Sequence, residues 1–381
     1  MDSIINQVKA LASGADDTAR KHILDSLRDL SYSLEVPTDT LQRICYTPMQ
    51  PALARVALDL KLFNLLSESE EPLTVGYLAT KTAAAQGLLG RILRYLSSMG
   101  IIKETAKDTF TANNITKNLS EPAIQVGVYH NFNTISPAVL VLPDYLKENG
   151  YKDVTEPTNT PMQKAFNTKD LAFIWLQTQP ESQAYFNQFM EVQHSNKPRW
   201  FDVYPMAEKV QNLDPDQVFF VDVGGGIGHY TVGLKQRMPQ ITSRMIVQDM
   251  AVVLPAIIPC EGVEGMEHDF FQPQPIKGAK FYFLSNIIHD YPDEKCIVIL
   301  KNIVSALGPD STILIKDIVL PNFGIHWHVA QVDITMMTML ASLERTVEQW
   351  YALMEKAGLR IKGIYSSDSA VADSVIECVP V

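Results

Sequence analysis

A cluster of glycines directly after an all-apolar segment is the feature that most constrains the fold of this chain. The apolar segment runs over residues 218–223 and is interrupted only by Asp222. The glycines that follow it are Gly224, Gly225, Gly226 and Gly228. Glycine lets the backbone turn tightly and lets a ligand approach it closely, because it carries no Cβ. A strand, a glycine turn and a predicted helix over 229–237 are typical of the first βαβ unit of a doubly wound α/β domain.

The alternation of short apolar segments with helical periodicity continues towards the end of the chain. Further strands are predicted at 244–247, 280–284, 312–318 and 359–365, and further helices at 294–306 and 347–357. Short all-apolar strands separated by helices indicate parallel pairing with both faces of the sheet covered. Residues 201–381 are therefore predicted to form a Rossmann-like α/β domain, with its ligand site at the carboxyl ends of the strands.

The first 200 residues have a different pattern, in which apolar residues recur mostly at helical spacing. After helices that begin near residue 52, two short segments at 101–104 and 109–112 are predicted to pair as a hairpin. This order is the layout of a winged helix. We predict a mainly helical, winged-helix dimerisation domain over 1–112 and substrate-pocket helices over 113–200. Apolar stripes on these helices need a second surface, so a homodimer through the N-terminal domain is expected.

The charge balance argues against nucleic acid as a partner. Lys and Arg number 32 and Asp and Glu number 43, which gives a formal net charge of −11. The helix that would enter a DNA groove offers only Arg91 and Arg94 beside a mostly apolar surface. No window reaches the roughly 18 apolar residues of a membrane span, and the first residues do not resemble a secretory signal. A cytosolic location without membrane contact is predicted.

The cysteines are widely spaced along the chain, at Cys45, Cys260, Cys296 and Cys378. They form no Cys-x-x-Cys pair and have no close histidine partner, so no metal site is predicted. Free cysteine packs as a small hydrophobic residue, and we expect all four to be reduced thiols of the core.

Asp249 ends the second predicted strand of the C-terminal domain. An acid at this place can accept hydrogen bonds from a ribose diol, as in dinucleotide folds. The glycine loop lacks the last glycine of the G-x-G-x-x-G fingerprint, so a pyrophosphate cradle is not clearly present. Asp222, just before the loop, suits a ligand with an ammonium or sulfonium group better than it suits phosphates. The pattern predicts a nucleoside-type cofactor, with NAD and S-adenosylmethionine as the alternatives.

Three further polar residues follow predicted strands or precede a helix in this half, namely His289, Asp317 and Glu344. An imidazole titrates near neutral pH and a carboxylate can fix its tautomer, so together they have the composition of a general base. Each residue alone is also consistent with a structural role, as a satisfied buried histidine, a loop acid or a helix cap.

Aromatic and methionine side chains are frequent in the helical segment that precedes the α/β domain. Most of them are expected to pack between helices, but such a cluster can also line an apolar pocket for a flat organic molecule. The candidate substrate-contacting residues are Phe132, Phe166, Trp175, Phe186 and Met190, together with Met336 and Met337 of the C-terminal half.

Five motifs, in this order along the chain, resemble those of class I S-adenosylmethionine-dependent O-methyltransferases. They are VDVGGGIGH at 221–229, VQDM at 247–250, HDFFQPQ at 268–274, IHDYPDEKC at 288–296 and LERT at 343–346. The chain is most similar to the fungal secondary-metabolite branch, and the resemblance extends to the N-terminal dimerisation region. It implies S-adenosylmethionine as the cofactor and a hydroxyl of an aromatic or polyketide-type small molecule as the methyl acceptor.

The resemblance also assigns roles by position. The loop from Gly224 to Gly228 would wrap the methionine part of the cofactor beside Asp222. Asp249 would hold the ribose hydroxyls, Asp269 with Phe270 would border the adenine, and Met250 would also bind the cofactor. His289 would be the general base, held and polarised by Asp317 and Glu344. Ser285 stands where the family usually has Arg or Lys near the cofactor, and Asp317 where the plant enzymes usually have Glu.

The same fungal branch includes S-adenosylmethionine-dependent pericyclases of the leporin and ilicicolin type, which catalyse dehydration or cycloaddition of 2-pyridones. In the leporin-type enzyme a His at the place of His130 and an Arg at the place of His289 serve this chemistry. The present chain has the first residue and not the second. A pericyclase with His130 and His289 as hydrogen-bond donors is therefore the alternative function, and a non-catalytic or regulatory binder is the third.

Overall fold

The computed structural model describes residues 2–195, 199–210, 217–366 and 373–381. The chain divides into two compact units. The N-terminal unit comprises Met1–Leu140 and Phe173–Asn196, and the C-terminal unit comprises Val141–Ala172 and Lys197–Val381. The sequence-based boundaries near residues 112 and 200 stay a prediction. None of the helices in the described ranges has both the length and the apolar composition needed to cross a membrane.

The described residues up to 195 are mainly helical, as the apolar spacing predicts. The helices are α1 (Asp2–Ser13), α2 (Asp17–Ser33), α3 (Pro37–Tyr46), α4 (Met49–Asp59), α5 (Leu62–Glu68), α6 (Val75–Thr82), α7 (Gln86–Ser98), α8 (Asn114–Ser120), α9 (Pro122–His130), α10 (Ser136–Leu140), α11 (Leu142–Glu148), α12 (Pro161–Phe166), α13 (Ala172–Gln177) and α14 (Pro180–Ser195). Three short strands accompany them, β1 (Leu73–Thr74), β2 (Lys103–Ala106) and β3 (Thr109–Thr111).

The predicted hairpin is present, and β1 extends it to a small sheet of order β1-β3-β2 with antiparallel pairing. The side chain of Thr74 caps α6 by accepting a hydrogen bond from the Tyr77 amide at 3.2 Å. Leu89, Leu93 and Phe110 are fully buried in the core between the helices and this sheet. The winged-helix layout is therefore built around one apolar cluster, as its helical periodicity predicts.

The rest of the chain alternates strands and helices. Its helices are α15 (Trp200–Val203), α16 (Met206–Lys209), α17 (His229–Arg237), α18 (Asp293–Val304), α19 (Trp327–Leu340) and α20 (Val347–Lys356). Its strands are β4 (Phe220–Val223), β5 (Met245–Asp249), β6 (Val263–Glu267), β7 (Phe281–Ser285), β8 (Thr312–Leu320), β9 (Arg345–Thr346), β10 (Leu359–Ser366) and β11 (Asp373–Pro380). Single turns of 3-10 helix lie at Leu254–Ala256 and Ile288–Asp290.

The sheet has the order β10-β11-β8-β7-β4-β5-β6, with β9 beside β8. Strands β4 to β9 pair in parallel, but β11 pairs antiparallel with both β8 and β10. The prediction of an all-parallel sheet is therefore wrong at this edge, although the α/β fold class is confirmed. Sequence reasoning missed β6 and β11 because β6 is a mostly exposed edge strand, and β11 is neither an uninterrupted apolar segment nor a strict alternation of polar and apolar residues.

Apolar side chains cover both faces of the sheet. Trp350 and Leu353 of α20 pack in the core on one face, and Trp200 stacks on Phe283 on the other, with ring centroids 4.5 Å apart. Cys296 and Cys378 are buried free thiols, as expected. Cys260 and Cys45 are also free thiols, but Cys260 is half-buried and Cys45 is exposed, so their assignment to the core is wrong. Cys45 lies on α3, none of whose residues is buried.

Candidate active site

The glycine loop joins β4 to α17 at the carboxyl end of the central strands. Gly224, Gly226 and Gly228 have φ values of 70°, 58° and 84°, in the left-handed region that favours glycine. A Cβ on Gly225 would lie 2.5 Å from Cγ of Asp222, and a Cβ on Gly224 would lie 2.7 Å from Cδ1 of Ile287. The loop is therefore a tight backbone cradle on Asp222 and Ile287 that leaves no room for a Cβ at Gly224 or Gly225.

Asp222 lies beneath this loop and is fully buried. Its Oδ2 accepts a hydrogen bond from Thr231 Oγ1 at 2.6 Å, while Oδ1 has no hydrogen-bond partner within the described residues. Burial raises the pKa of Asp222 to about 7, although the Thr231 hydrogen bond opposes the shift. A cationic ligand group would stabilise the ionised form of this carboxyl.

Asp249 ends β5, and its carboxylate binds two backbone amides at the carboxyl end of the central strands. Oδ2 accepts a hydrogen bond from the Gly226 amide at 2.8 Å, and Oδ1 accepts one from the Met250 amide at 2.7 Å. An ionised carboxylate has about four lone-pair sites, so two further donors such as ribose hydroxyls fit this group. Asp249 therefore shapes the glycine loop as well as offering acceptors to a ligand.

A cleft of about 280 Å³ opens at this edge of the sheet. Sequence-predicted cofactor residues line it, namely Gly224, Asp249, Met250, Asp269 and Phe270. Sequence reasoning missed His268, Phe271 and Tyr291, which also line it although they lie inside the motifs at 268–274 and 288–296. The rings of Phe270, Phe271 and Tyr291 are 5.1 to 5.9 Å apart and give the cleft an aromatic wall.

Ser285 ends β7 and is half-buried. Its Cα lies opposite that of Lys316 on β8. Lys316 is buried and forms an ion pair with Asp373 at 2.9 Å. Ser285 carries no charge, so the positive charge next to it in the sheet is that of Lys316 on the neighbouring strand β8.

His289 lies on the 3-10 turn Ile288–Asp290, just after β7, and its side chain is 16% exposed. Its Nδ1 lies 2.9 Å from Oε1 of Glu344, which immediately precedes β9. This distance is that of a hydrogen bond in which Nδ1–H donates to the carboxylate, and it leaves Nε2 as the ring nitrogen that Glu344 does not bind. Sequence reasoning placed these two residues near each other, and the structure brings them together.

Two more carboxylates surround the imidazole. Asp317 on β8 is fully buried and its Oδ1 lies 3.9 Å from Nδ1, beyond hydrogen-bond distance. Neither carboxylate oxygen of Asp317 has a hydrogen-bond partner among the described residues. Asp290, which sequence reasoning did not single out, has Oδ1 3.5 Å from Nε2. The adjacent His-Asp pair in the motif at 288–296 was the available signal for it.

The pKa values of His289, Asp290 and Asp317 are all raised above those of isolated side chains. Burial alone would lower the pKa of His289, but Asp317, Asp290 and Glu344 reverse the effect and raise it to about 10. Burial raises the pKa of Asp317 to about 7 and that of Asp290 to about 6, with His289 opposing both shifts. Asp333 of α19 completes the acidic surroundings, since its Oδ1 accepts a hydrogen bond from the Glu344 amide at 2.8 Å.

His130 belongs to the N-terminal unit, where it ends α9 and precedes a π-helical turn over Asn131–Ile135. Its ring centroid lies 5.5 Å from that of Phe186 and 5.3 Å from that of Phe189. It is buried, and no hydrogen-bond partner for Nδ1 exists among the described residues. Burial lowers its pKa to about 4. His130 is therefore a neutral imidazole in aromatic surroundings, with a ring nitrogen that a ligand could satisfy.

The other candidate substrate-contacting residues divide between the two units. In the N-terminal unit Trp175 is buried, while Phe132, Phe186 and Met190 are half-buried. In the C-terminal unit Phe166 of α12 is half-buried, and Met337 of α19 packs beside Tyr145 and Val154. The carbonyl of Met336 accepts a hydrogen bond from the Ser342 amide. Their contact with a substrate stays a prediction.

Comparison with known proteins identifies the family. A family model described as the O-methyltransferase domain matches residues 149–360, and one described as the O-methyltransferase dimerisation domain matches residues 43–119. The chain belongs to the O-methyltransferase family. The family and the enzyme class predicted from the five motifs are thereby confirmed.

Individual relatives represent two kinds of chemistry. Demethylsterigmatocystin 6-O-methyltransferase of Aspergillus flavus is 38% identical over 362 residues, which cover 95% of this chain and 93% of that protein. The solved structure of LepI in complex with SAM matches with a TM-score of 0.90 and 36% identity, over 100% of this chain and 98% of that one. A structure described as a pericyclic reaction enzyme matches with a TM-score of 0.89 and 36% identity, over 100% and 99% of the two chains.

Proposed function

We propose that this protein is an S-adenosylmethionine-dependent O-methyltransferase that acts on a hydroxyl of an aromatic or polyketide-type small molecule. The observation that carries the proposal is the hydrogen-bonded pair of His289 and Glu344 at the sheet edge that also bears the glycine cradle. An imidazole whose Nδ1 is fixed by a carboxylate presents Nε2 as the proton-accepting atom. Membership of the O-methyltransferase family supports the same reaction.

The residues at the cleft fit this cofactor. In the glycine cradle, the space that a Cβ on Gly226 would occupy has no described atom within 4 Å, so the backbone there is open to a ligand, and Asp222 keeps a buried oxygen without a partner within the described residues. These groups would hold the cationic amino-acid part, Asp249 with Met250 the ribose, and Asp269 with Phe270 the adenine. Ser285 would border the same site. The cofactor, when bound, supplies an electrophilic methyl group on a sulfonium sulfur.

His289 would remove the proton of the substrate hydroxyl at Nε2 while the oxygen forms its bond to the methyl carbon and the carbon–sulfur bond breaks. The products are the methyl ether, S-adenosylhomocysteine and the proton held on His289. Glu344 orients the ring through Nδ1, and the buried charge of Asp317 stabilises the imidazolium. Alignment of the reacting atoms can supply a further 7 to 11 kcal/mol, roughly, of the barrier.

The raised pKa of His289 has a consequence for this mechanism. A pKa of about 10 is close to that of a phenol, so transfer of a phenolic proton to the ring is nearly balanced in free energy. The same shift leaves only a small fraction of the ring neutral at pH 7. Turnover is therefore expected to increase with pH above neutrality.

A pericyclic reaction is the second candidate, and two observations favour it. His289 is surrounded by carboxylates that keep it protonated, so at neutral pH it is a cationic hydrogen-bond donor at the place where the leporin-type enzyme has Arg. His130 is buried with Nδ1 lacking a partner among the described residues. A donor of either kind could bind a substrate carbonyl and stabilise charge that develops in the transition state.

Mass spectrometry with a methyl-labelled cofactor separates the two reactions. The purified protein is incubated with labelled S-adenosylmethionine and either a phenolic polyketide or a 2-pyridone alcohol. Methyl transfer predicts a labelled product and an equal amount of S-adenosylhomocysteine. An unlabelled isomer or dehydration product without S-adenosylhomocysteine would reject methyl transfer. Gly225→Val, whose side chain would clash with the Asp222 carboxyl beneath the loop, is the control that should abolish either reaction.

We also propose that the protein is a homodimer through its N-terminal domain. Helices α1, α2 and α3 contribute no buried residue, and they expose large apolar side chains such as Leu11, Leu30 and Leu41. The O-methyltransferase dimerisation domain matches residues 43–119, which begin within α3. This match supports a second copy of the chain as the partner that covers the exposed apolar side chains. Light scattering at micromolar concentration should give twice the chain mass, and a monomer mass would contradict the proposal. The exclusion of nucleic acid and the cytosolic location stay sequence-based predictions.

A further inference from the structure

We infer that Arg345 is a positioning residue that holds the turn carrying His289. The inference rests on the proposed function, in which His289 acts on the substrate. Arg345 is the first residue of β9 and is 1% exposed. Its Nη1 donates to the carbonyl of Ile288 and its Nη2 donates to the carbonyl of Tyr291, both at 2.9 Å. These carbonyls bracket His289, so one guanidinium binds the backbone on both sides of it.

The guanidinium is itself held in place. Its Nε and Nη2 donate to Oδ1 of Asp293, at 3.0 and 2.9 Å, at the start of α18. Its central carbon lies 5.6 Å from the ring centroid of Trp350. Arginine presents its donors in a rigid planar fork, whereas lysine has a single ammonium that cannot reach three separated acceptors with the same geometry. The site therefore requires arginine in particular.

Cys296 of α18 acts on the same two carbonyls. Its Sγ lies 3.2 Å from the carbonyl oxygens of both Ile288 and Tyr291, and 3.4 Å from Nη2 of Arg345. Burial raises the pKa of the thiol to about 12 despite the opposing effect of Arg345, so the thiol remains a donor at neutral pH. The turn is thus bound from α18 and from β9.

Arg345 directly follows Glu344 in the chain, so the residue that holds the turn is next to the residue that binds the imidazole of His289. The preceding residue, Glu344, binds Nδ1 of His289, so consecutive residues fix the imidazole ring and the backbone that bears it. If the turn shifts, the distance between Nδ1 and Glu344 changes. A misplacement of about 1 Å can cost about 10²-fold in rate.

The test is Arg345→Lys in the full-length protein, assayed with S-adenosylmethionine and the accepted hydroxyl substrate. Turnover should decrease by about 10²-fold while the dissociation constant of the cofactor changes less than about twofold. The pKa of His289, measured by NMR with labelled histidine, should decrease because the ring moves away from Glu344. In a His289→Gln background, Arg345→Lys should cause no further loss of turnover, because both changes act through one unit.

Two controls separate positioning from general destabilisation. Arg360→Lys makes the same substitution at an exposed site on β10. Leu353→Ala destabilises the core on α20 and removes none of the polar contacts that Arg345 and Cys296 make with the turn. Both should keep wild-type turnover per folded molecule. An Arg345→Lys protein with an unchanged His289 pKa, or with a loss that adds fully to that of His289→Gln, would overturn the inference.

Cys296 keeps the inference testable if Arg345→Lys does not fold. Cys296→Ala removes the thiol but keeps the Cβ, and it should lower both turnover and the His289 pKa in the same direction, within about tenfold in rate because a thiol is a weak donor. No change in either quantity would contradict the inference. If His289→Gln leaves turnover intact, the proposed function fails, and the NMR titration still decides the role of Arg345.

Discussion

Two histidines, the buried His130 and the half-buried His289, have opposite electrostatic surroundings in this molecule. His130 in the N-terminal unit lies among aromatic rings and its pKa is lowered to about 4, whereas His289 in the C-terminal unit lies among carboxylates and its pKa is raised to about 10. Burial disfavours the charged ring in both places, and only His289 has acids that outweigh it. The comparison shows that burial alone does not give a histidine its role. The neighbouring charges make one ring a neutral polar group and the other a strong base or a cation.

The largest expected effect follows from removing the imidazole of His289. In His289→Gln the amide keeps a polar side chain but cannot accept and hold the hydroxyl proton, so turnover should decrease by about 10²- to 10⁴-fold, with cofactor affinity almost unchanged. His130→Gln is the matched substitution in the other unit and should change methyl transfer little. Rates and S-adenosylhomocysteine release are measured together. If both variants lose a similar amount without S-adenosylhomocysteine in the wild type, the pericyclic reaction is the better account.

Asp249→Ala tests the cofactor side of the C-terminal site. Loss of charged hydrogen bonds worth about 1.5 to 3 kcal/mol should weaken S-adenosylmethionine binding by about ten- to 150-fold in calorimetry. Glu267→Ala is the control, because Glu267 is the exposed acid paired with Asp249 on β6. Since Asp249 also binds the Gly226 amide, melting temperatures of both variants are recorded. An unchanged dissociation constant in Asp249→Ala would show that the ribose assignment is wrong.

Glu344→Gln reduces the electrostatic difference between the two histidines while keeping a hydrogen-bond acceptor for Nδ1. The pKa of His289 should decrease, so the acid limb of the pH–rate profile moves to lower pH and the maximal turnover decreases by about tenfold because the base is weaker. The raised pKa of His289 also makes the free energy of unfolding depend on pH. The folded-state pKa lies above 6.5, so the protonated ring stabilises the wild type below about pH 6.5, and this contribution is lost as pH rises through about 10. Coincident pH profiles for wild type and variant would refute this role of Glu344.

The smallest expected effect concerns the fold around His130. His130→Phe keeps an aromatic ring against Phe186 and Phe189 and removes a buried nitrogen that lacks a partner within the described residues. The free energy of unfolding should change by no more than about 1 kcal/mol, in the stabilising direction if it changes. Denaturant unfolding measures it. A loss of several kcal/mol would mean that the imidazole of His130 has a structural hydrogen-bond partner. The description of His130 as a neutral ring held only by aromatic contacts would then be wrong.

Local sequence patterns determined most of the fold of this protein. The apolar run before Gly224, the helical spacing in the first 200 residues and the order of strands and helices predicted the winged helix and the α/β domain, because period and turn chemistry are local properties. The same patterns failed at β6 and β11. An edge strand buries little, and the direction in which β11 enters the sheet depends on the long-range pairing with β8 and β10.

The candidate site divides in the same way. Motif order was sufficient to select His289, Glu344 and the glycine loop, but only the tertiary structure brought Asp290 to Nε2, left Asp317 without a partner in the described residues and placed the Arg345 guanidinium across the turn. A residue type states which protons and charges a side chain can carry. Its pKa and its partners depend on groups from distant parts of the chain that folding buries together, and the low dielectric constant of the interior makes those contacts decide the chemistry.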